Sequence, residues 1–170
     1  DINERNDICC PQLRAIDGVN PMDESFVYAR SAGITCVCTG PGSANVLGGT
    51  FTAIKTAGTR IDDMIVKKEA AMKCAFGENP KRCYASKCDS SRMTTAAILR
   101  EALMKARLYL QKKEAAGDDV FRQPAFDMKL EALIPVLRGQ IPLKAHAHRA
   151  DDIFTAIRIA DEFGVRLTLE

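Results

Sequence analysis

His146 and His148 are the chain's two histidines, and they stand one residue apart in the stretch IPLKAHAHRADDI. In a strand, residues i and i+2 face the same way, so both imidazoles could be presented to one ion. If the strand ends earlier, His146 alone points at a site and His148 belongs to the loop. One H-x-H pair does not complete a metal site, because the ion needs further carboxylate or imidazole ligands. Glu78, in GENPKR, directly follows an apolar run, where a carboxylate could ligate a metal; the other reading is a solvated loop acid. Lys73 lies five residues earlier, inside AAMKCAFG. Turned inward, it needs a partner, a lowered pKa or a covalent modification; on an edge strand it merely points to solvent.

A third polar segment, GPGSANVLGG, has G-x-G but carries Asn45 where the third glycine of a dinucleotide fingerprint would stand, and it lacks the G-K-[ST] ending of a P-loop. A nucleotide-phosphate cradle is therefore not expected. Backbone amides around Gly42, Ser43 and Asn45 could still hold an anionic or carbonyl group, and the alternative is a glycine-rich connection that permits close packing.

These segments need elements to position them. Asn20-Pro21 reads as a helix start, with Phe26, Val27 and Ala29 in the helix and Gly33 as its stop. A buried-type strand over 34–39 follows, then the glycine-rich loop and two short apolar runs, DMIV and MKCAF. The longest helix is expected from Ser91 to Ala116, with Met93, Ala96, Ala97, Leu99, Leu103, Ala106 and Leu110 at helical spacing and Gly117 as the stop. A helical piece from Asp127 to Arg138 should bend or break at Pro135. The strand PLKAH precedes a helix capped by Asp151 or Asp152, with Ile153, Ala156, Ile157, Ala160 and Phe163 inward and Gly164 ending it; VRLTLE is the last strand. Strands alternating with helices argue for an α/β fold of parallel βα units. In such folds the loops after the strands' C-terminal ends share one face, which would gather all three polar segments.

Composition narrows the classes. A chain of 170 residues supports one sizeable core, and 46% hydrophobic with 27% charged residues is ordinary for a globular protein. Lys plus Arg (24) nearly balances Asp plus Glu (22), so no charge excess favours nucleic acid or an anionic membrane. No apolar run approaches a bilayer span and no leader pattern opens the chain, which makes a cytoplasmic location the expectation. The seven cysteines include no C-x-x-C pair, so neither a zinc ribbon nor a disulfide framework is expected. Cys36 and Cys38 should pack as small hydrophobes, while Cys83 and Cys88 should lie in a polar loop open to oxidation.

The segments AGITCVCTGPGSANVLGG, MKCAFGENPKRCY, SRMTTAAILREAL and IPLKAHAHRADDIFTAIRIADEFGVRLTLE together resemble the imidazolonepropionase-like branch of the amidohydrolase superfamily. The likeness extends over nearly the whole chain, including DINERND and PQLRAIDGVNPMD. It implies a metal-dependent (β/α)8 TIM barrel flanked by a small β-sandwich, hydrolysing C–N bonds of cyclic amides or related small molecules with a divalent metal, zinc foremost. By this resemblance His146 matches the fifth-strand ligand, and Lys73 or Glu78, with Glu78 preferred, the bridging or fourth-strand ligand. His148, Arg149, Asp152, Gly42, Ser43 and Asn45 are then expected on the substrate side. The first-strand H-x-H, the sixth-strand histidine, the eighth-strand aspartate and the sandwich have no counterpart in the sequence. Residues 1–170 are accordingly expected to form a single partial-barrel domain, truncated at both ends. Such a piece should be inactive or impaired, bind metal weakly if at all, and self-associate through exposed sheet edges. The start without Met and the stop inside a strand pattern agree with that expectation. The competing expectation is a small α/β module that binds a phosphate or carboxylate through the glycine-rich loop without catalysis.

Overall fold

Five strands form one mixed sheet in the order β1-β2-β3-β4-β5, curled into a half-barrel, in a computed structural model that describes residues 3–87 and 90–170. The strands are β1 (Cys36–Thr39), β2 (Leu47–Lys55), β3 (Ile65–Ala75), β4 (Leu143–His146) and β5 (Leu167–Leu169). The helices are α1 (Glu24–Ser31), α2 (Ile61–Met64), α3 (Glu78–Tyr84), α4 (Arg92–Ala116), α5 (Met128–Leu137) and α6 (Ala150–Phe163), with a 3-10 turn at Ala15–Asp17.

The expected all-parallel sheet is corrected. β3, β4 and β5 are parallel, but β2 is antiparallel to both β1 and β3. Two reversals leave β1 running with β3, so the C-terminal ends of β1, β3 and β4 still lie along the same rim of the sheet. β2 is the element whose sequence disguises it, because Gly48-Gly49 reads as loop. Thr50, Thr52 and Ile54 then supply the β-branched residues a strand favours. Register shifts along the β2–β3 ladder bend the pair, as bulges do. Gly49, at φ +107, lets the carbonyl of Leu13 approach to where a Cβ would stand.

One face of the sheet is apolar and covered. Leu47, Met72, Cys74, Leu143 and Ala145 point into a core completed by Ala96, Leu99, Leu103 and Ala106 of α4, Leu133 and Val136 of α5, and Ile159, Ala160 and Phe163 of α6. A smaller cluster of Phe26, Ile54 and Met64 backs the β1–β2 end. α4 begins as expected: the Ser91 hydroxyl accepts from the Thr94 amide and the Thr94 hydroxyl accepts from the Ser91 amide, a complete capping box.

Other expectations are revised. α1 starts at Glu24 behind an Asp23 cap, because Asn20 uses its side chain to accept the Met22 amide in a turn. The strand expected over 34–39 as buried is the exposed edge strand β1, and Cys36 and Cys38 are exposed rather than packed. Pro135 does not break α5, which continues to Leu137 because the proline falls in its last turns. α6 is preceded by Arg149 with no side-chain cap, while Met93 and Ile157 face outward and Ile159 inward. Cys83 belongs to α3, and Cys88 lies outside the described residues. Among the described residues no helix is long and apolar enough to cross a membrane.

Candidate functional site

Alternation along β3 and β4 sends Met72, Cys74, Leu143 and Ala145 to the helices and leaves the residues between them on the opposite, polar face. Lys73 and Lys144 are ladder partners there, as are Ala75 and His146 at the strand ends. Lys73 is 1% exposed; its ammonium pairs with the Glu170 carboxylate and stands 5.7 Å from the Phe51 ring centroid. Lys144 reaches the other Glu170 oxygen at 2.7 Å and the same ring at 5.4 Å. Burial pulls the Lys73 ammonium down to about 8, and the Lys144 charge acts in the same direction. The Glu170 carboxylate opposes both. Of the two readings open to Lys73, the structure therefore realises the inward one, with a partner and a lowered pKa.

β4 delivers His146 to the rim. Burial, followed by the charges of Lys73 and His148, keeps its imidazole below the usual histidine range. Its Nε2 lies 2.9 Å from Asn79 Nδ2 of α3. His148 has already left the strand; its exposed ring stands edge-on to His146, the centroids 4.5 Å apart and the planes at 86°. The Phe76 amide donates to the His146 carbonyl at 2.9 Å, so the β3 and β4 ends are tied just before both chains turn away.

Gly77, at φ +76, makes the turn from β3 into α3, and a Cβ there would meet Asp152 Oδ2 at 2.8 Å. The absence of a side chain at Gly77 leaves room for Asp152, so the GENPK and HAHRADD segments lie side by side. Asp152 is buried in the first turn of α6 and accepts from Arg92 Nε at 3.0 and 3.3 Å. Arg92 Nη1 also lies 2.8 Å from Glu78 Oε1, and Glu78 pairs with Lys81 at 3.2 Å. These cations, Lys81 first, hold the exposed Glu78 carboxylate below its ordinary range. Glu78 thus has its charge satisfied on the surface beside the rim, whereas Lys73 is the buried member of the expected pair. Arg149 is exposed and occupied with Asp151 at 2.9 and 3.1 Å.

The glycine-rich loop is used mainly for packing. The Gly40 backbone lies flat on the Phe51 ring, which would stand 2.4 Å from a Cβ, and Gly48 backs onto Pro41 and the Lys73 stem. Asn45 is fully buried and donates through Nδ2 to the Asp7 carbonyl and the Tyr84 hydroxyl, both at 2.8 Å. That ties the loop to the N-terminal segment and α3. Gly42 and Ser43 are partly buried beside it. A cavity of about 680 Å³ opens next to this loop, between Gly40, Pro41 and Gly48 on one side and Arg14, Asp17 and Phe26 on the other.

The structure brings Lys73, His146 and His148 to one rim, with Glu78, Arg149 and Asp152 in the ion-paired starts of α3 and α6 around it. Sequence reasoning missed Asn79, Arg92, Phe51, Lys144 and Glu170. Lys144 had a usable signal, since it sits two residues before His146 in PLKAH and must share its face. Arg92 had none, because its partners come from segments 14 and 60 residues away.

A divalent metal is the group the rim should be tested against. Among the described residues no group of three or more His, Cys, Asp or Glu side chains is placed to hold a metal ion. One partly buried imidazole, an exposed second one and a lysine already paired with a carboxylate do not form a complete zinc site.

No family model matches the chain. It is 30% identical to "Amidohydrolase tasK" of Hapsidospora irregularis over 184 residues, spanning 96% of the chain and 19% of that relative. The crystal structure of an amidohydrolase from Thermotoga maritima MSB8 superimposes on 99% of the chain with a TM-score of 0.95 and 44% identity, and the match spans 45% of that protein. The chain thus covers about a fifth and under half of the two proteins it resembles. Both relatives support an amidohydrolase-type family for this chain.

Proposed function

We propose that the chain forms the middle of a metal-dependent amidohydrolase of the imidazolonepropionase-like kind, a TIM barrel that hydrolyses C–N bonds in cyclic amides or related small molecules. One observation carries the reading: an amidohydrolase 44% identical over 99% of the chain shares its fold, and the polar rim of that shared fold holds His146 and the buried Lys73. In this reading His146 and Lys73 face the metal, and Glu78, tied to Lys81 and Arg92, serves the loop geometry. The remaining ligands come from polypeptide outside the matched span, which accounts for the incomplete ligand set found here. His148 and Arg149 stand at the rim to meet substrate; Gly42, Ser43 and Asn45 shape the wall, and Asp152 holds the loops. The isolated chain is then impaired in catalysis and weak in metal binding. The edges of β1 and β5 offer unpaired backbone through which copies associate. Among the described residues six cysteines are free, with Cys36 and Cys38 exposed, which fits a reducing, cytoplasmic setting.

The test is metal content after dialysis against zinc, with His146→Ala beside the parent chain. Substoichiometric zinc in both is expected. A full equivalent that disappears in the variant would overturn the claim that the site is incomplete. In the longer protein the same substitution, or Lys73→Met, should abolish amide hydrolysis, and retained activity would overturn the assignment itself.

A further inference from the structure

We propose that Cys36 and Cys38 form a two-coordinate site for a soft monovalent metal ion, copper(I) in type, bridged between their two thiolate sulfurs. Both thiols are free and exposed on β1. Val37, between them, packs against the cluster of Phe26, Ile54 and Met64, so alternation turns both cysteines to the opposite face of the sheet. Binding exchanges protons for the ion: two S–H bonds break, two S–Cu bonds form, and both protons leave to solvent with no change of oxidation state.

The spacing selects a metal over a disulfide. Two steps along a strand separate the Cα atoms by about 7 Å, whereas a disulfide is most at ease with them about 5.5–6 Å apart. An ion between the sulfurs lengthens the bridge by one atom and removes the misfit. The ligand number then selects the metal. Among the described residues no third His, Cys, Asp or Glu side chain is placed to join the pair, so zinc, which takes four ligands, has no complete site here. Thiolates are soft donors that favour copper(I), for which two suffice.

The neighbours fit such a complex. The Thr56 amide donates to the Thr35 carbonyl at 3.1 Å, which makes Cys36 and Lys55 the closely spaced, non-hydrogen-bonded pair next to it. Two thiolates on one monovalent cation leave a net negative charge, and the Lys55 ammonium is on hand to balance it. Opposite Cys38 stands Ala53, too small to cover the sulfur. Burial raises the Cys38 thiol, and the Lys144 charge opposes that rise. Cys9, Cys10 and Cys74 are poorer ligands, because burial pushes their thiols up to about 11, 12 and 12. The proposal does not rest on the hydrolase reading, since neither His146 nor Lys73 takes part.

The test titrates the reduced chain with copper(I), without oxygen, against a chromogenic copper(I) chelator. The parent should hold one full equivalent, and Cys36→Ser and Cys38→Ser should each surrender it. The double variant Cys83→Ser, Cys88→Ser, which removes the next two cysteines along the sequence after Cys74, should keep it. X-ray absorption at the copper edge of the loaded parent reads the site without any variant, and two sulfur neighbours are expected. A parent that holds no ion, or holds it with three or more ligands or with nitrogen among them, overturns the proposal. So does a folded Cys36→Ser or Cys38→Ser chain that retains the equivalent, or a folded double variant that loses it.

Discussion

The two ends of the sheet are built by different means. β3, β4 and β5 are parallel, and a parallel crossover must carry the chain back over the sheet, here through α4, α5 and α6. Those helices bury Leu99, Leu103, Leu133 and Ile159 in the main core. β1 and β2 need no crossover; they join antiparallel, and a cluster centred on Phe26, Ile54 and Met64 backs them. The crossover end is held by a thick apolar layer, and the hairpin end by a thin one that still has to place Phe51 and the glycine-rich loop beside Lys73. The stability of the site therefore depends on one end and its shape on the other.

Truncating a fully buried residue at each end tests this most strongly. Leu103→Ala should cost about 3–5 kcal/mol, since its neighbours on α4, α6 and the sheet are fixed and cannot fill the void. Ile54→Ala, equally buried, should cost about 2–3 kcal/mol, because the small cluster around it can collapse. Urea titrations of both variants measure the difference. Equal losses, or a larger one for Ile54, would break the thick-and-thin distinction.

The junction between β3 and the loops comes next. Gly77 and Gly164 both have positive φ, but a Cβ meets Asp152 only at Gly77. Gly164→Ala should cost roughly 1 kcal/mol for backbone strain alone. Gly77→Ala should cost about 2–3 kcal/mol, because it also displaces a buried carboxylate from the Arg92 pair. Thermal melts rank the two, and a cost for Gly77 no greater than that for Gly164 would remove Asp152 from the account of the turn.

Lys73, on the strand shared by both ends, gives a pH signature. Its folded pKa of about 8 lies below the ordinary 10.5, so the folded state binds fewer protons than the unfolded state between those values. Stability should then rise with pH over this window, by at most about 1.4 kcal/mol per unit, with Glu170 reducing the slope. The buried thiols oppose it. Burial first of all pushes Cys9 up to about 11, and Cys10 and Cys74 up to about 12, so their contribution is lost as pH rises above 9. The parent chain should therefore gain stability between pH 8 and 9 and lose it beyond. Lys73→Met should lack the gain but keep the loss, and a variant with the parent's profile would mean that Lys73 is not the group responsible.

The same contrast explains what was legible in the sequence. At the crossover end, α4 could be read to within a residue because Ser91, Leu99, Leu103 and Gly117 obey helical spacing and capping rules that act locally. α6 was legible from its apolar spacing and its Gly164 stop, although the cap expected at Asp151 or Asp152 is not formed and Ile157 faces outward. At the hairpin end, Gly48 and Gly49 concealed β2, because the glycines are demanded by Lys73 and Leu13, which lie elsewhere in the chain. The site divides likewise. His146 and Lys73 could be named from their own runs, whereas Asn79, Arg92 and Glu170 acquire their roles only through partners brought together by folding.

The smallest expected effect lies on the outer surface of the crossover end. Arg100 of α4 and Glu162 of α6 form a two-pronged pair at 2.6 and 2.8 Å, and its geometry rivals that of the Arg92–Asp152 contact at the rim. Geometry alone would rank the two alike, but solvent separates them. Both side chains of the outer pair are more than a third exposed, whereas the Asp152 side chain is 6% exposed. Water and salt screen the first and not the second, so Arg100→Ala should cost only about 0.2–1 kcal/mol, and less at high salt. Denaturation of the variant at low and high ionic strength checks this. A loss of several kcal/mol that salt does not reduce would mean that α4 and α6 are locked by charge rather than by Leu103, Ile159 and Phe163, and the thick apolar layer would lose its claim to hold this end.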